Sequence, residues 1–319
     1  MCCTCTVPLP ELYLHCTCII PVLCLSCACP VTVLVPCTAP VLCLQALTRL
    51  AVLRLHDLKL DMASDRPCRI TASMLPSTHL KQLVFSGAVQ LEPKALAGKT
   101  QLQHLDLDLI HTVTWGGAQV AQLLSYIRPL QELTHLRLGH LWTDEADGPP
   151  ATAYSALTVS SKLQHLDISS CMVAEGVWEH LFPAGRQLPH LQSLNLSYLK
   201  ESDGLSATAP EGSRLASTCA SLQCLDLRGL QELNAERVAP LQGLTRLQTL
   251  QLSGVGLTAT GWQAVGQMTG LRELAVGVTH RGITRELLLQ STQLKQLTSF
   301  SYRGCGYDGF DLVTQVSCR

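Results

Sequence analysis

Leu163-Gln164-His165-Leu166-Asp167-Ile168-Ser169-Ser170-Cys171 sets leucine at its first and fourth positions and a third apolar residue at its sixth. The fourth and sixth positions alternate with polar neighbours, which is the pattern of a short β-strand with one buried face. The same phrase recurs ten times, with first leucines at Leu50, Leu80, Leu102, Leu133, Leu163, Leu191, Leu222, Leu247, Leu271 and Leu297. The intervals between them run from 22 to 31 residues. Recurrence at that period marks a solenoid, because one such unit cannot bury its apolar face alone and must stack on its neighbours.

A helix-like stretch follows many of the phrases. Val120, Leu123, Leu124 and Ile127 fall at helical spacing before Pro129, and Val177 and Leu181 before Pro183. Trp262 with Val265, and Ile283 with Leu287, repeat the arrangement. Parallel strands on the inside of the array and helices on the outside satisfy both patterns. Two polar intervals, Asp144 to Ser161 and Glu201 to Thr218, read as protruding loops.

From these residues the chain resembles the leucine-rich repeat superfamily over 47–319. The resemblance implies an α/β horseshoe of about ten repeats with a parallel concave sheet and convex helices. Cys171 stands where the superfamily places an Asn or Cys whose polar atom satisfies backbone groups at a turn, and Cys305 fits in the last unit. The cysteine and the unit lengths resemble the cysteine-containing, ribonuclease-inhibitor-like class found in F-box proteins. That class implies a substrate-recognition subunit of an SCF-type ubiquitin ligase, with Skp1 and a cullin as partners by family analogy alone. Leu9-Pro10-Glu11-Leu12 matches only the opening of an F-box. A cytoskeletal or cilium axoneme scaffold is the alternative. A GTPase-activating regulator ranks last, because Gly306 to Arg319 is not the acidic tract it needs.

Composition agrees with a leucine-filled interior. The 319 residues are 47% hydrophobic yet only 4% aromatic, so aromatic rings cannot fill the core. The formal charge of -1 offers no field to hold a polyanion, which argues against nucleic acid as a partner. Ten of the sixteen cysteines lie between Cys2 and Cys43, and the sparse remainder suits a reducing, cytoplasmic compartment.

Residues 1–46 read as a separate, cysteine-rich, low-complexity extension, expected to be disordered. Pro-Val-Leu-Cys-Leu stands at 21–25 and again at 40–44, and no charged residue occurs from Leu12 to Thr48. The first basic residue is Arg49, which argues against a secretory signal. Pro21, Pro30 and Pro36 argue against a membrane helix. An acylated tail and a thiolate metal site around Cys24, Cys27 and Cys29 are weaker readings.

No catalytic group assembles, so an enzyme is not expected, nor a cofactor or metal. Gly98-Lys99-Thr100 has Pro93 where a phosphate loop needs glycine, Gly254-x-Gly256 lacks the third glycine of a dinucleotide turn, and no Gly-x-Ser-x-Gly elbow occurs. The informative positions are those the strands turn away from the core. One column includes His104, His135 and His165; the next includes Asp106, Arg137, Asp167, Asn195 and Asp226. These eight are the candidate partner-binding residues of the concave face, with Trp115, Trp142 and Tyr198 as candidate rim anchors. Three imidazoles on parallel strands lack the convergence a metal requires. Arg137, the one cation between Asp106 and Asp167, is expected to attract acidic side chains of a protein partner. The histidines are expected to make that affinity pH-dependent between roughly 5.5 and 7.5.

Overall fold

All ten phrases lie on strands, and their second leucines share one register. In the computed structural model, Leu53 pairs with Leu83, Leu83 with Leu105, Leu105 with Leu136 and Leu136 with Leu166. The series continues through Leu194, Leu225, Leu250 and Leu274 to Phe300. The structure describes residues 12–15, 31–34, 51–58, 68–75, 78–87, 89–109, 116–140, 148–201, 205–231, 233–252, 257–278, 293–305 and 311–317. Thirteen strands of these residues make one sheet whose spatial order follows chain order, with two further two-stranded sheets formed by strands between them. All neighbours are parallel except the last pair, where Asp311–Ser317 runs antiparallel to Ser299–Cys305.

A parallel return needs the chain to travel back along the sheet, and the helices provide that travel on one face. Gly117–Ile127 is an α-helix that buries Val120, Leu123, Leu124 and Ile127, the residues whose spacing predicts it. Val177–Leu181 buries both its terminal residues, and Ala259–Gly266 buries Trp262 and Val265. The first ends two residues before Pro129 and the second two before Pro183, as proline's clash with the preceding turn requires. Ile283 and Leu287 lie outside the described residues. Ladder leucines and helix residues merge into a single apolar core, in which Leu83, Leu105, Leu123 and Leu250 have no exposed surface. Each such burial contributes about 1.5–3 kcal/mol relative to exposure. The architecture is an α/β solenoid.

One expectation changes. The polar intervals are not bare loops: Ala151–Thr158 is a 3-10 helix that buries Tyr154, Ala156 and Leu157, and Gly212–Thr218 is an α-helix that buries Leu215 and Thr218. Buried residues three apart, Tyr154 with Leu157 and Leu215 with Thr218, meet the core. The cysteine-rich tract also contributes to the sheet. Leu12–His15 and Val31–Leu34 are strands of the main sheet, and Val31 pairs with Leu53. Val31-Thr32-Val33 is β-branched, and the exposed edge of Val52–Leu58 offers unpaired backbone groups that a further strand satisfies. Residue 46 is therefore not the edge of the sheet. No described helix is long and apolar enough to cross a membrane.

Candidate functional site

The face of the sheet opposite the helices carries the residues that the core leaves free, and strand register decides which of them meet. His104 aligns with His135 and His135 with His165, while Asp106 aligns with Arg137 and Arg137 with Asp167. The imidazoles stack as a ladder, with centroids 5.1 Å apart and an interplanar angle of 30° for the first pair, and 4.3 Å and 20° for the second. With Asp106, Arg137, Asp167, Ser193 and Asn195 they line a depression of about 300 Å³. Face-to-face rings point their nitrogens along the stack's edge and not at a common centre. Among the described residues no group of three or more His, Cys, Asp or Glu is arranged to hold a metal ion.

All three histidines are pushed below their ordinary range. Burial is the first cause for His135, with His165 and His104 adding repulsion, and together they bring it down to about 4. Burial lowers His104 first, then Arg54 and His165; burial lowers His165. A ladder of three charges at 4–5 Å would repel itself, so at neutral pH the rings are uncharged. The expected window of pH dependence, roughly 5.5 to 7.5, moves to more acid values for this reason. The Thr134 hydroxyl lies 3.0 Å from the Gln103 carbonyl and 2.8 Å from His135 Nδ1. The proton of that second contact can come from either atom, according to the imidazole tautomer.

Arg137 is not free to attract acids. Its guanidinium lies 3.0 Å from Asp108 Oδ2, 3.5 Å from Asp167 Oδ2 and 3.8 Å from Asp106 Oδ2. Asp108 joins because the strand His104–Leu109 runs on past Asp106, and because Gly139 stands opposite it. A Cβ at Gly139 would come within 2.8 Å of Asp108 Oδ1. His140 Nε2 is 3.8 Å from the same carboxylate. The sequence columns omitted Asp108, and the signal that could have found it is its third-column place beside that glycine. Three carboxylates around one guanidinium leave the centre of the face net negative.

Asp167, Asn195 and Asp226 share a further task. In each, Oδ1 accepts the backbone N–H two residues on: Ser169 at 2.9 Å, Ser197 at 3.0 Å and Arg228 at 3.0 Å. These are Asx turns, which end the strand where the chain bends toward the helices. The bend then passes through a left-handed residue four places after the second leucine of the phrase: His140, Ser170, Tyr198 and Gly229, with φ of 58°, 56°, 56° and 74°. Left-handed backbone is costly for a side chain other than glycine, of order 1 kcal/mol each. Asp226 is also closed off by Arg228, whose Nε and Nη2 donate to both carboxylate oxygens at 2.6–3.0 Å. Arg228 in turn lies 5.6 Å from the centre of the Tyr198 ring. So Asp226 belongs with Tyr198 in a rim cluster, away from the histidine ladder. Tyr198 is 43% exposed, and Trp115 and Trp142 lie outside the described residues.

Cys171 donates its thiol to the Leu138 carbonyl of the preceding unit at 2.7 Å, the backbone-satisfying part that the family resemblance implies. Lys99, from the rejected phosphate-loop reading, is 3% exposed and donates to the Leu75 carbonyl at 2.7 Å. It ties two units together. Cys224 is exposed on the open face beside Ser193 and Thr249 in register.

No family model matches the chain, and no curated protein matches it. Among solved structures, an internalin from Listeria monocytogenes is similar, with 15% identity over 80% of this chain and 81% of that one and a TM-score of 0.44. That likeness carries no argument about function.

Proposed function

We propose that this chain is a protein–protein interaction module whose partner lies on the open, concave face of the sheet, centred on His104, Asp106, His135, Arg137, His165 and Asp167. The supporting observation is the depression of about 300 Å³ at that centre, lined by polar side chains on strands held rigid by the leucine ladder. A rigid array of this kind presents many adjustable surface positions without disturbing its core. Asn195 lies at the margin of this surface, and Tyr198 with Asp226 forms a secondary contact at the rim.

The finer reading follows the family resemblance: a cytoplasmic substrate-recognition component of an SCF-type ubiquitin ligase, reaching Skp1 and a cullin through a segment outside the repeats. A cytoskeletal or axonemal scaffold is the alternative. The test places a photo-crosslinking residue in the full chain at Ser193, on the open face, or at Gln122, exposed on the helix face. Protein adducts at Ser193 and none at Gln122 are expected; the converse overturns the reading. Skp1 and cullin among the adducts and co-purified proteins would favour the ligase, and tubulin-associated proteins the scaffold.

A further inference from the structure

From the chemistry of the open face we infer that the partner segment over the histidine ladder is basic, placing a lysine or arginine side chain in the depression. This deepens the proposed function and rests on it. The sequence columns alone point the other way, since Arg137 stands between two acids as if to receive a third.

Three features of the face select a cation. First, the guanidinium of Arg137 is committed to Asp106, Asp108 and Asp167 at 3.0–3.8 Å, so the centre has carboxylate charge in excess. The half-exposed cation cannot serve a second acid without giving up one it already holds. Second, the three imidazoles that line the depression are held uncharged by burial and mutual repulsion, so they add no positive charge to offset those carboxylates. Third, the stacked imidazoles cover one another's faces and turn their edges to a depression of about 300 Å³, which has room for the methylene stem of a lysine or arginine. Charge sign and shape agree on one class of side chain. A nucleic-acid backbone or an acidic peptide meets repulsion from the carboxylates.

The test uses the full chain and three fluorescent decapeptides identical except at alternate positions, which carry lysine and arginine, glutamate, or glutamine. Binding is read by anisotropy near physiological salt. The basic peptide is expected to bind and the other two not. Asp106→Asn together with Asp167→Asn should weaken it about tenfold, whereas Arg137→Gln, which unmasks the carboxylates, should strengthen it several-fold. A loss of thermal stability in Arg137→Gln would be seen separately and leaves the direction of the affinity change interpretable. Preference for the acidic or neutral peptide, weaker basic-peptide binding in Arg137→Gln, or no binding of any peptide overturns the inference. Crosslinking at Ser193 is independent of peptide charge. Adducts there with no basic preference would sink the basic partner while keeping the interaction module, and their absence would sink both.

Discussion

Gly212→Ala sets two opposed effects against each other, and the structure says which wins. Gly212 is the first residue of the helix Gly212–Thr218 and has no left-handed backbone to protect. By propensity alone, alanine there should stabilise the helix by about 0.5–1 kcal/mol. A Cβ at Gly212, however, would sit 2.0 Å from the Arg237 carbonyl oxygen, 3.2 Å from its carbon and 3.3 Å from Leu241 Cγ. The obstacle is the backbone of the next unit, which has no rotamer to change. One of the two helical segments must retreat by more than 1 Å to restore ordinary contact. That movement opens the seam between Leu215 and Leu241, both buried. Overpacking typically costs about 1–3 kcal/mol, and a backbone obstacle belongs at the upper end, so the net loss should be about 2 kcal/mol. Urea unfolding followed by far-UV circular dichroism measures it. Two controls separate the causes. Gly261→Ala is too close only to the flexible end of Leu257, at 2.9 Å, with Leu257 Cβ at 3.4 Å and Ala235 Cα at 3.6 Å in ordinary contact, and should be within about 0.5 kcal/mol of wild type. Gly185→Ala has open space but φ of 80°, and should lose about 1 kcal/mol to backbone strain alone. If Gly212→Ala proved neutral or stabilising, the close approach of adjacent units would be refuted, and with it the packing of the Gly212–Thr218 helix onto the body.

Leu166→Ala and Leu225→Ala, each 1% exposed with a packed strand on both sides, should each cost about 2–5 kcal/mol by the same unfolding assay. Lys99 is held below its ordinary range by burial, so the folded state binds the proton less well than the unfolded chain does. Stability from this group is present above the unfolded value of 10.5 and is lost as pH falls through the lower folded value. Wild type should therefore gain on Lys99→Met as pH is raised from 7 toward 10, and parallel stability curves would show that the amine is solvated. His135 follows the same sign at lower pH: its contribution is intact above 6.5 and is lost as pH falls toward about 4. Chemical denaturation between pH 7 and 5 should show a shallower decline for His135→Gln than for wild type; equal slopes would mean that the imidazole titrates normally in the fold.

Much of this was legible because one apolar period dictates both strands and core. The ten phrases mark ten strands, and the stacking of His104, His135 and His165 follows once their leucines share a register. What the period does not encode is strand length. Whether a strand stops at Asp167 or runs on past Asp106 to Leu109 decides that Asp167 closes an Asx turn, and that Asp108 reaches Arg137. That difference sets how many carboxylates surround Arg137 at the centre of the face. The helices in the polar intervals were hidden for another reason: Tyr154, Ala156 and Leu157 are three apolar contacts in one short segment, enough to seat a short helix on an existing core but too few to announce one. Val31–Leu34 was obscured by its low-complexity surroundings, since nothing local shows that the neighbouring edge needs a partner.

Parallel sheets usually form slowly, because their strands are brought together from far apart in the chain. Here Leu136 pairs with Leu166 and Leu225 with Leu250, partners separated by one unit and so by about a tenth of the chain length. By contact order the molecule sits with helical bundles despite its strands. Loop-closure entropy is met one short segment at a time, so folding can begin in any pair of well-packed neighbouring units and spread outward in both directions. The long sheet is in this sense assembled as a polymer of local steps, and the middle units, which have two neighbours to template, should set its rate.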